Sequence, residues 1–111
     1  MRKEGINEDN AQMSDFLCDY CATEWTEDLA MIEGHKGSII CGVCLREAYR
    51  QVIVLGVNNA EEGYSCNLCL LTKAEPAWKS SSTAATICAW CINRSGGMLV
   101  KDEGSGWKKP E

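Results

Sequence analysis

The eight cysteines of this 111-residue chain are the residues whose type and spacing suggest chemistry. All of them fall in C-x-x-C pairs, and 19, 21 and 18 residues separate successive pairs. The two sulfurs of such a pair converge on one point, so a second pair about 20 residues away completes a four-thiolate metal site. We therefore predict two sites with one Zn²⁺ each, formed by Cys18, Cys21, Cys41 and Cys44 and by Cys66, Cys69, Cys88 and Cys91.

Disulfides, iron and redox dithiols are the other uses of cysteine that this pattern leaves open. Disulfides need an oxidising compartment, but the N-terminal sequence lacks the apolar core of a secretory signal. A redox dithiol is typical of one reactive pair in a βαβ context rather than of four pairs in tandem. No stretch approaches the 18 or so apolar residues that span a bilayer. We expect a soluble, cytoplasmic zinc protein with no membrane partner.

An internal repeat organises the chain, because FLCDYC at Phe16 returns 48 residues later as YSCNLC at Tyr64. A unit below about 40 residues is usually too small to be stable without a metal or disulfides. The polar stretches outside and between the two units predict a leader, a linker and a tail. The predicted divisions are a disordered leader at 1–14, zinc finger 1 at 15–56, a linker at 57–63, zinc finger 2 at 64–97 and a flexible tail at 98–111.

A hairpin and a helix are the elements that must position the first site. The segment LAMIEGHKGSII has two apolar runs on either side of a glycine-containing turn, which predicts a hairpin whose second strand leads into Cys41. A helix is predicted next, because apolar side chains recur there at i, i+3, i+4 and i+7. They are Leu45, Ala48, Tyr49 and Val52.

The second unit repeats this order with weaker signals. Short strands are predicted at Ala77-Trp78 and Thr86-Ile87, around the polar tip 80–83. A helix is predicted from Ala89, and Gly96-Gly97 should end it after a turn or two. The predicted fold class is a small zinc-stabilised α+β protein of two tandem treble-clef-like zinc fingers, each ordered as knuckle, β-hairpin, knuckle and helix.

The first unit resembles the N-terminal four-cysteine zinc-binding domain of the ClpX family, on the residues LCDYCATEW and AMIEGHKGSIICGVCLREAYRQVIV. The resemblance implies one zinc per four-cysteine set, dimerisation, and binding of substrates and adaptor proteins. The chain departs from that family in having two tandem units and no G-x-x-x-x-G-K-[ST] nucleotide site. The second unit is therefore a candidate stand-in for the second subunit of a dimer. Ala22 and Leu70 replace a glycine often found after the first knuckle, which predicts less regular turns.

The charge distribution bears on the partner. The formal net charge is −5, with −4 in residues 15–55 and +2 in residues 64–97. Two zinc ions with four thiolates each would lower the net charge to about −9. Such a charge opposes nucleic acid binding, which depends on neutralising phosphates. A nucleic acid partner would need the cations of the second unit on one face beside an exposed Trp78 or Trp90, whereas we expect both tryptophans in a core or interface.

The sequence predicts no catalytic residues. A zinc ion with four cysteine ligands has no open position for substrate, and His35 is the only histidine, placed between glycines in a turn. Apolar residues exceed what one finger can bury, so we expect contact between the units or with another chain. They are Val43, Ile53, Val54, Leu55 and Val57. We expect a non-enzymatic protein-interaction or adaptor module, binding another protein or itself. A nucleic-acid-binding regulator and a redox- or zinc-responsive switch are the alternatives.

Overall fold

The computed structural model describes Met1, Gly5 and residues 12–111, so most of the predicted leader lies outside the described residues. The described chain is a small α+β protein with two antiparallel hairpins, two helices and two groups of four cysteines. Unit one holds the first cysteine group and unit two holds the second. The elements are β1 (Met31–Glu33), β2 (Ile39–Cys41) and α1 (Gly42–Tyr49) in unit one, and β3 (Ala77–Lys79), β4 (Thr86–Cys88) and α2 (Ala89–Lys101) in unit two.

Unit one has the hairpin and the helix that its sequence predicts. Ile32 pairs with Ile40, and the turn between the strands contains a 3-10 helix, His35–Gly37. Helix α1 starts directly after Cys41, whose sulfur accepts a hydrogen bond from the Cys44 amide. A π-helical segment, Arg50–Val54, continues α1. The four side chains of the predicted helical face, Leu45, Ala48, Tyr49 and Val52, are all buried.

Unit two has its strands where they were predicted, but its helix is longer than predicted. Helix α2 runs through Gly96 and Gly97 to Lys101, so residues 98–101 form its last turn rather than part of a flexible tail. A Cβ added to Gly96 would lie 3.3 Å from the Tyr49 ring and 3.4 Å from the Trp107 ring. Close packing against α1 therefore offsets the weak helix propensity of glycine, which costs about 1 kcal/mol relative to alanine.

The segment after α2 returns to α1. A 3-10 helix, Glu103–Ser105, follows α2. The Trp107 indole Nε1 then donates a 2.8 Å hydrogen bond to the Gly42 carbonyl oxygen, and its ring packs edge-on against Tyr49 with 6.1 Å between centroids. The segment that follows α2 thus holds the start of α1 against α2.

Tyr20, in the first C-x-x-C turn, connects unit one to unit two. Its side chain is fully buried, and its hydroxyl donates a 2.9 Å hydrogen bond to the Thr86 carbonyl oxygen. Its ring stacks on Trp78 with 6.0 Å between centroids, while the Ser80 hydroxyl donates to the Tyr20 carbonyl oxygen. Trp78 therefore lies at the interface between the units, as predicted.

Leu68, in the second C-x-x-C turn, makes the reciprocal contact with unit one. Its carbonyl oxygen accepts hydrogen bonds from the His35 amide at 2.8 Å and from the Ser38 hydroxyl at 3.2 Å. A Cβ on Gly34 would lie only 2.3 Å from the Leu68 oxygen, so this approach requires glycine. Each turn thus contacts the hairpin of the other unit.

Most of the apolar side chains that unit one was not expected to bury by itself remain exposed despite the contact between the units. Ile53 is half-buried, while four residues are exposed: Val43, Val54, Leu55 and Val57. Within the described residues, no helix is both long and apolar enough to cross a membrane.

Candidate metal centres

The structure brings the eight cysteines together in the two predicted sets of four. Within each set the sulfurs lie within 4.8 Å of one another. The Cys21 and Cys41 sulfurs are 3.7 Å apart, and the Cys66 and Cys91 sulfurs are 3.8 Å apart. A tetrahedron of metal–sulfur bonds of about 2.3 Å places its sulfurs about 3.8 Å apart, whereas a disulfide bond is about 2.05 Å long. Both groups therefore fit a four-coordinate metal ion.

The C-x-x-C turns that present the first two ligands of each group have the same geometry. The Ala22 amide donates to the Cys18 carbonyl oxygen at 2.8 Å, and the Leu70 amide donates to the Cys66 carbonyl oxygen at 2.8 Å. Ala22 and Leu70 adopt left-handed conformations with φ of +62° and +64°. Both turns thus keep the same closing hydrogen bond and the same left-handed residue, and the prediction of less regular turns is wrong. Each non-glycine residue there carries a strain of roughly 1–2 kcal/mol.

Backbone amides point at the sulfurs in both groups. The Tyr20 and Cys41 amides donate to the Cys18 sulfur at 3.4 and 3.3 Å. The Cys69 and Cys88 amides donate to the Cys66 sulfur at 3.5 and 3.4 Å. Such hydrogen bonds favour a thiolate over a thiol, and thiolates are the metal-binding form of cysteine. Cys18 and Cys66 are thus the most strongly stabilised anions of the two sites.

The thiol pKa values show why each group needs a cation. Hydrogen bonds from the Cys41 and Cys44 thiols lower the pKa of Cys18 to about 2. The pKa of Cys41 is raised to about 12 by its hydrogen bond to Cys18, and that of Cys44 is raised further. In unit two the pKa of Cys66 is lowered in the same way, while Cys88 is raised to about 11. Four sulfurs this close become anionic together only around a cation.

Both cysteine groups lie largely inside the protein. Three cysteines of each group are buried, and Cys21 and Cys69 are half-buried. Four protein sulfurs would complete a tetrahedral shell around an ion and would leave no position for water or substrate. The two helices begin directly after Cys41 and Cys88, which are their N-cap residues. An ion at either site would therefore tie a hairpin to a helix.

Trp90 lies next to the second centre with two cations on its ring. It is 54% exposed, so the prediction of a core position is wrong for Trp90, whereas a position at an interface with another chain stays a prediction. The Lys73 ammonium is 5.4 Å and the Arg94 guanidinium 5.5 Å from the centroid of the Trp90 ring. Lys79, the third cation of unit two, instead pairs with Glu61 at 3.0 Å. Cation–π contacts of this kind hold the indole at the surface of α2.

Comparison of the chain with protein-family models, with curated proteins and with solved structures finds no match. The contacts of Tyr20 and Leu68 between the units were not predicted. A weak signal for them exists, because both residues occupy the same position of the repeat, two places after the first cysteine of each unit.

Proposed function

We propose that the chain is a two-zinc, non-enzymatic protein that serves as a protein-interaction or adaptor module. Its two units would be ClpX-type fingers of the treble-clef kind, and its reduced thiols suit a cytoplasmic setting. The observation that carries the proposal is the pair of closed four-cysteine groups, whose sulfur spacing of 3.7 and 3.8 Å suits tetrahedral zinc. The zinc ions would replace a larger hydrophobic core.

An interaction role is supported by what the fold leaves at its surface. The units already contact each other through Tyr20 and Leu68, yet Val43 remains 70% exposed and Leu55 54% exposed. Exposed apolar side chains beside polar ones are typical of protein-binding surfaces. The reciprocal docking also supports the hypothesis that unit two takes the place of a second subunit.

Native mass spectrometry of the purified protein tests the proposal, since it measures metal content and subunit number together. We expect two zinc ions per chain and no disulfides. Four disulfides, or one iron per unit, would contradict the zinc assignment. Retention of zinc through mild oxidation would argue against a redox-responsive switch.

A nucleic-acid-binding regulator is the second candidate, and Trp90 is the observation that favours it. Trp90 is exposed with Lys73 and Arg94 on its ring, so two of the three cations of unit two share a face with an exposed tryptophan. Bases stack on such side chains. Against this candidate, Lys73 is paired with Glu75 at 3.3 Å, and the net charge is −5. Failure to bind fluorescent single-stranded DNA and RNA at low salt would exclude it.

A further inference from the structure

The C-x-x-C turn of unit one connects the first cysteine group to the hairpin of unit two through Tyr20. The Tyr20 amide donates a 3.4 Å hydrogen bond to the Cys18 sulfur, while the hydroxyl of the same residue reaches Thr86 at the start of β4. Strand β4 ends at Cys88, a member of the second group. One buried residue thus lies between a sulfur of the first group and the strand that carries a sulfur of the second.

The C-x-x-C turn of unit two makes the opposite connection through Leu68. Leu68 lies between Cys66 and Cys69 and is buried. Its carbonyl oxygen accepts a hydrogen bond from the hydroxyl of Ser38, which directly precedes β2. Strand β2 ends at Cys41 of the first group. The strand that leads into the third cysteine of each group is therefore supported by a turn that belongs to the other group.

The Thr86 carbonyl oxygen is the point at which the two turns meet. It accepts hydrogen bonds from the Tyr20 hydroxyl at 2.9 Å and from the Asn67 amide at 2.8 Å, and Asn67 belongs to the C-x-x-C turn of unit two. The Thr83 hydroxyl adds a 2.6 Å hydrogen bond to the Asp19 carbonyl oxygen. The hairpin of unit two is therefore held by residues from both turns at once.

These contacts require both turns to have their folded conformation. A unit of about 40 residues buries too little apolar surface to hold that conformation unaided, and metal sites are rarely preformed in an unfolded chain. An ion at the first group would fix the turn that carries Tyr20, and the fixed turn would support the hairpin that leads to Cys88. The second ion would then bind to a chain that has less conformational entropy left to lose.

We propose that the two cysteine groups bind their metal ions with positive cooperativity, because each C-x-x-C turn supports the hairpin of the other unit. The chain then exists mainly as the empty or the doubly loaded form, and its folded surface appears over a narrow range of free zinc. Coupling between two sites is typically about 5–150-fold in affinity. We expect about 100-fold here, since Tyr20 and Leu68 are both buried. The inference rests on the proposed binding of two zinc ions.

Native mass spectrometry at a series of buffered free zinc concentrations tests the coupling in the unaltered protein. Two independent sites of equal affinity would leave about half of the chains with one ion when half of all sites are filled. A coupling of about 100-fold lowers that fraction to about a tenth. A predominant singly loaded form at this point would contradict the proposal.

Variants that abolish one group measure the coupling itself. Cys88→Ser with Cys91→Ser removes two ligands of the second group, and Cys41→Ser with Cys44→Ser removes two ligands of the first. Competition with a chromophoric chelator gives the zinc affinity of the group that remains. The product of these two affinities should be about 100-fold lower than the product for the native protein, and this ratio is the coupling factor. A ratio near one would overturn the proposal.

Two variants at the contact assign the coupling to these turns. Tyr20→Ala removes the side chain that reaches unit two, and Gly34→Ala adds a methyl group that would clash with the Leu68 carbonyl oxygen. We expect either change to raise the singly loaded fraction at least about threefold, whereas Gly97→Ala, which adds its methyl group in open space, should not. In chains that lack the second group, Tyr20→Ala should change the zinc affinity of the first group little, because the contact is already lost.

The outcomes distinguish this inference from the function on which it rests. Two zinc ions that bind independently, or a singly loaded fraction that neither Tyr20→Ala nor Gly34→Ala changes, would overturn the coupling and leave the two-zinc interaction module intact. Absence of zinc binding by the native protein would contradict the proposed function itself.

Discussion

Replacement of Tyr20 is the most direct test of whether the two units form one cooperative structure. The Tyr20 side chain comes from unit one, is fully buried, and touches Trp78 and Thr86 of unit two. Tyr20→Phe removes one hydrogen bond, but the Thr86 oxygen keeps the Asn67 amide at 2.8 Å. We expect a cost of about 1 kcal/mol, since no buried group is left unpaired.

Tyr20→Ala removes the ring itself and leaves a cavity between the units. Truncation of a buried aromatic residue to alanine costs about 3–5 kcal/mol. Because this loss falls on the contact between units, we expect unfolding to lose cooperativity, with fluorescence and circular dichroism giving different midpoints. Urea titration at a fixed free zinc concentration measures both effects.

Tyr64→Phe is the matched control for the hydroxyl. Tyr64 donates a 2.8 Å hydrogen bond to the Glu75 carbonyl oxygen within unit two. Loss of this hydrogen bond does not affect the contact between the units, so we expect Tyr64→Phe to unfold in a single transition. The reasoning is refuted if Tyr20→Ala unfolds in one transition within about 1 kcal/mol of the native protein. In that case the contact of Tyr20 with unit two would not be what couples the two units.

Three further predictions concern the backbone and the metal. A Cβ added to Gly97 would meet open space, so Gly97→Ala should raise the free energy of unfolding by about 1 kcal/mol. Gly96→Ala should stabilise less or should destabilise, because the added methyl group would approach Tyr49 and Trp107. Thermal unfolding of the two variants measures the difference. Ala22→Gly should stabilise by up to about 1 kcal/mol by relieving a left-handed φ, while Ala74→Gly, at an exposed position without positive φ, should not. Removal of zinc by a chelator should unfold both units, seen as loss of circular dichroism that returns with added zinc; retention of the native spectrum would contradict structural metal sites.

Local signals in the sequence were sufficient to predict most of the strands and helices. The glycine turn predicted the hairpin of unit one, and the apolar spacing from Leu45 to Val52 predicted the buried face of α1. The cysteine spacing predicted two groups of four, which the structure brings together. The length of α2 was predicted wrongly, because the close packing that makes Gly96 acceptable involves Tyr49, which lies far away in the sequence.

The sequence by itself determined the donor atoms, their number and their grouping, because the chemistry of a four-thiolate site depends on residue type and short spacing. Only the tertiary structure decided how the repeats face each other. Nothing in the local sequence distinguishes Tyr20 and Leu68 from other turn residues, and only the folded structure shows that each contacts the hairpin of the other unit. The same holds for β3, whose Lys79 backbone is hydrogen-bonded by the side chain of Asn59, 20 residues earlier in the sequence. Contacts of this kind depend on geometry between distant residues, which spacing along the chain does not encode.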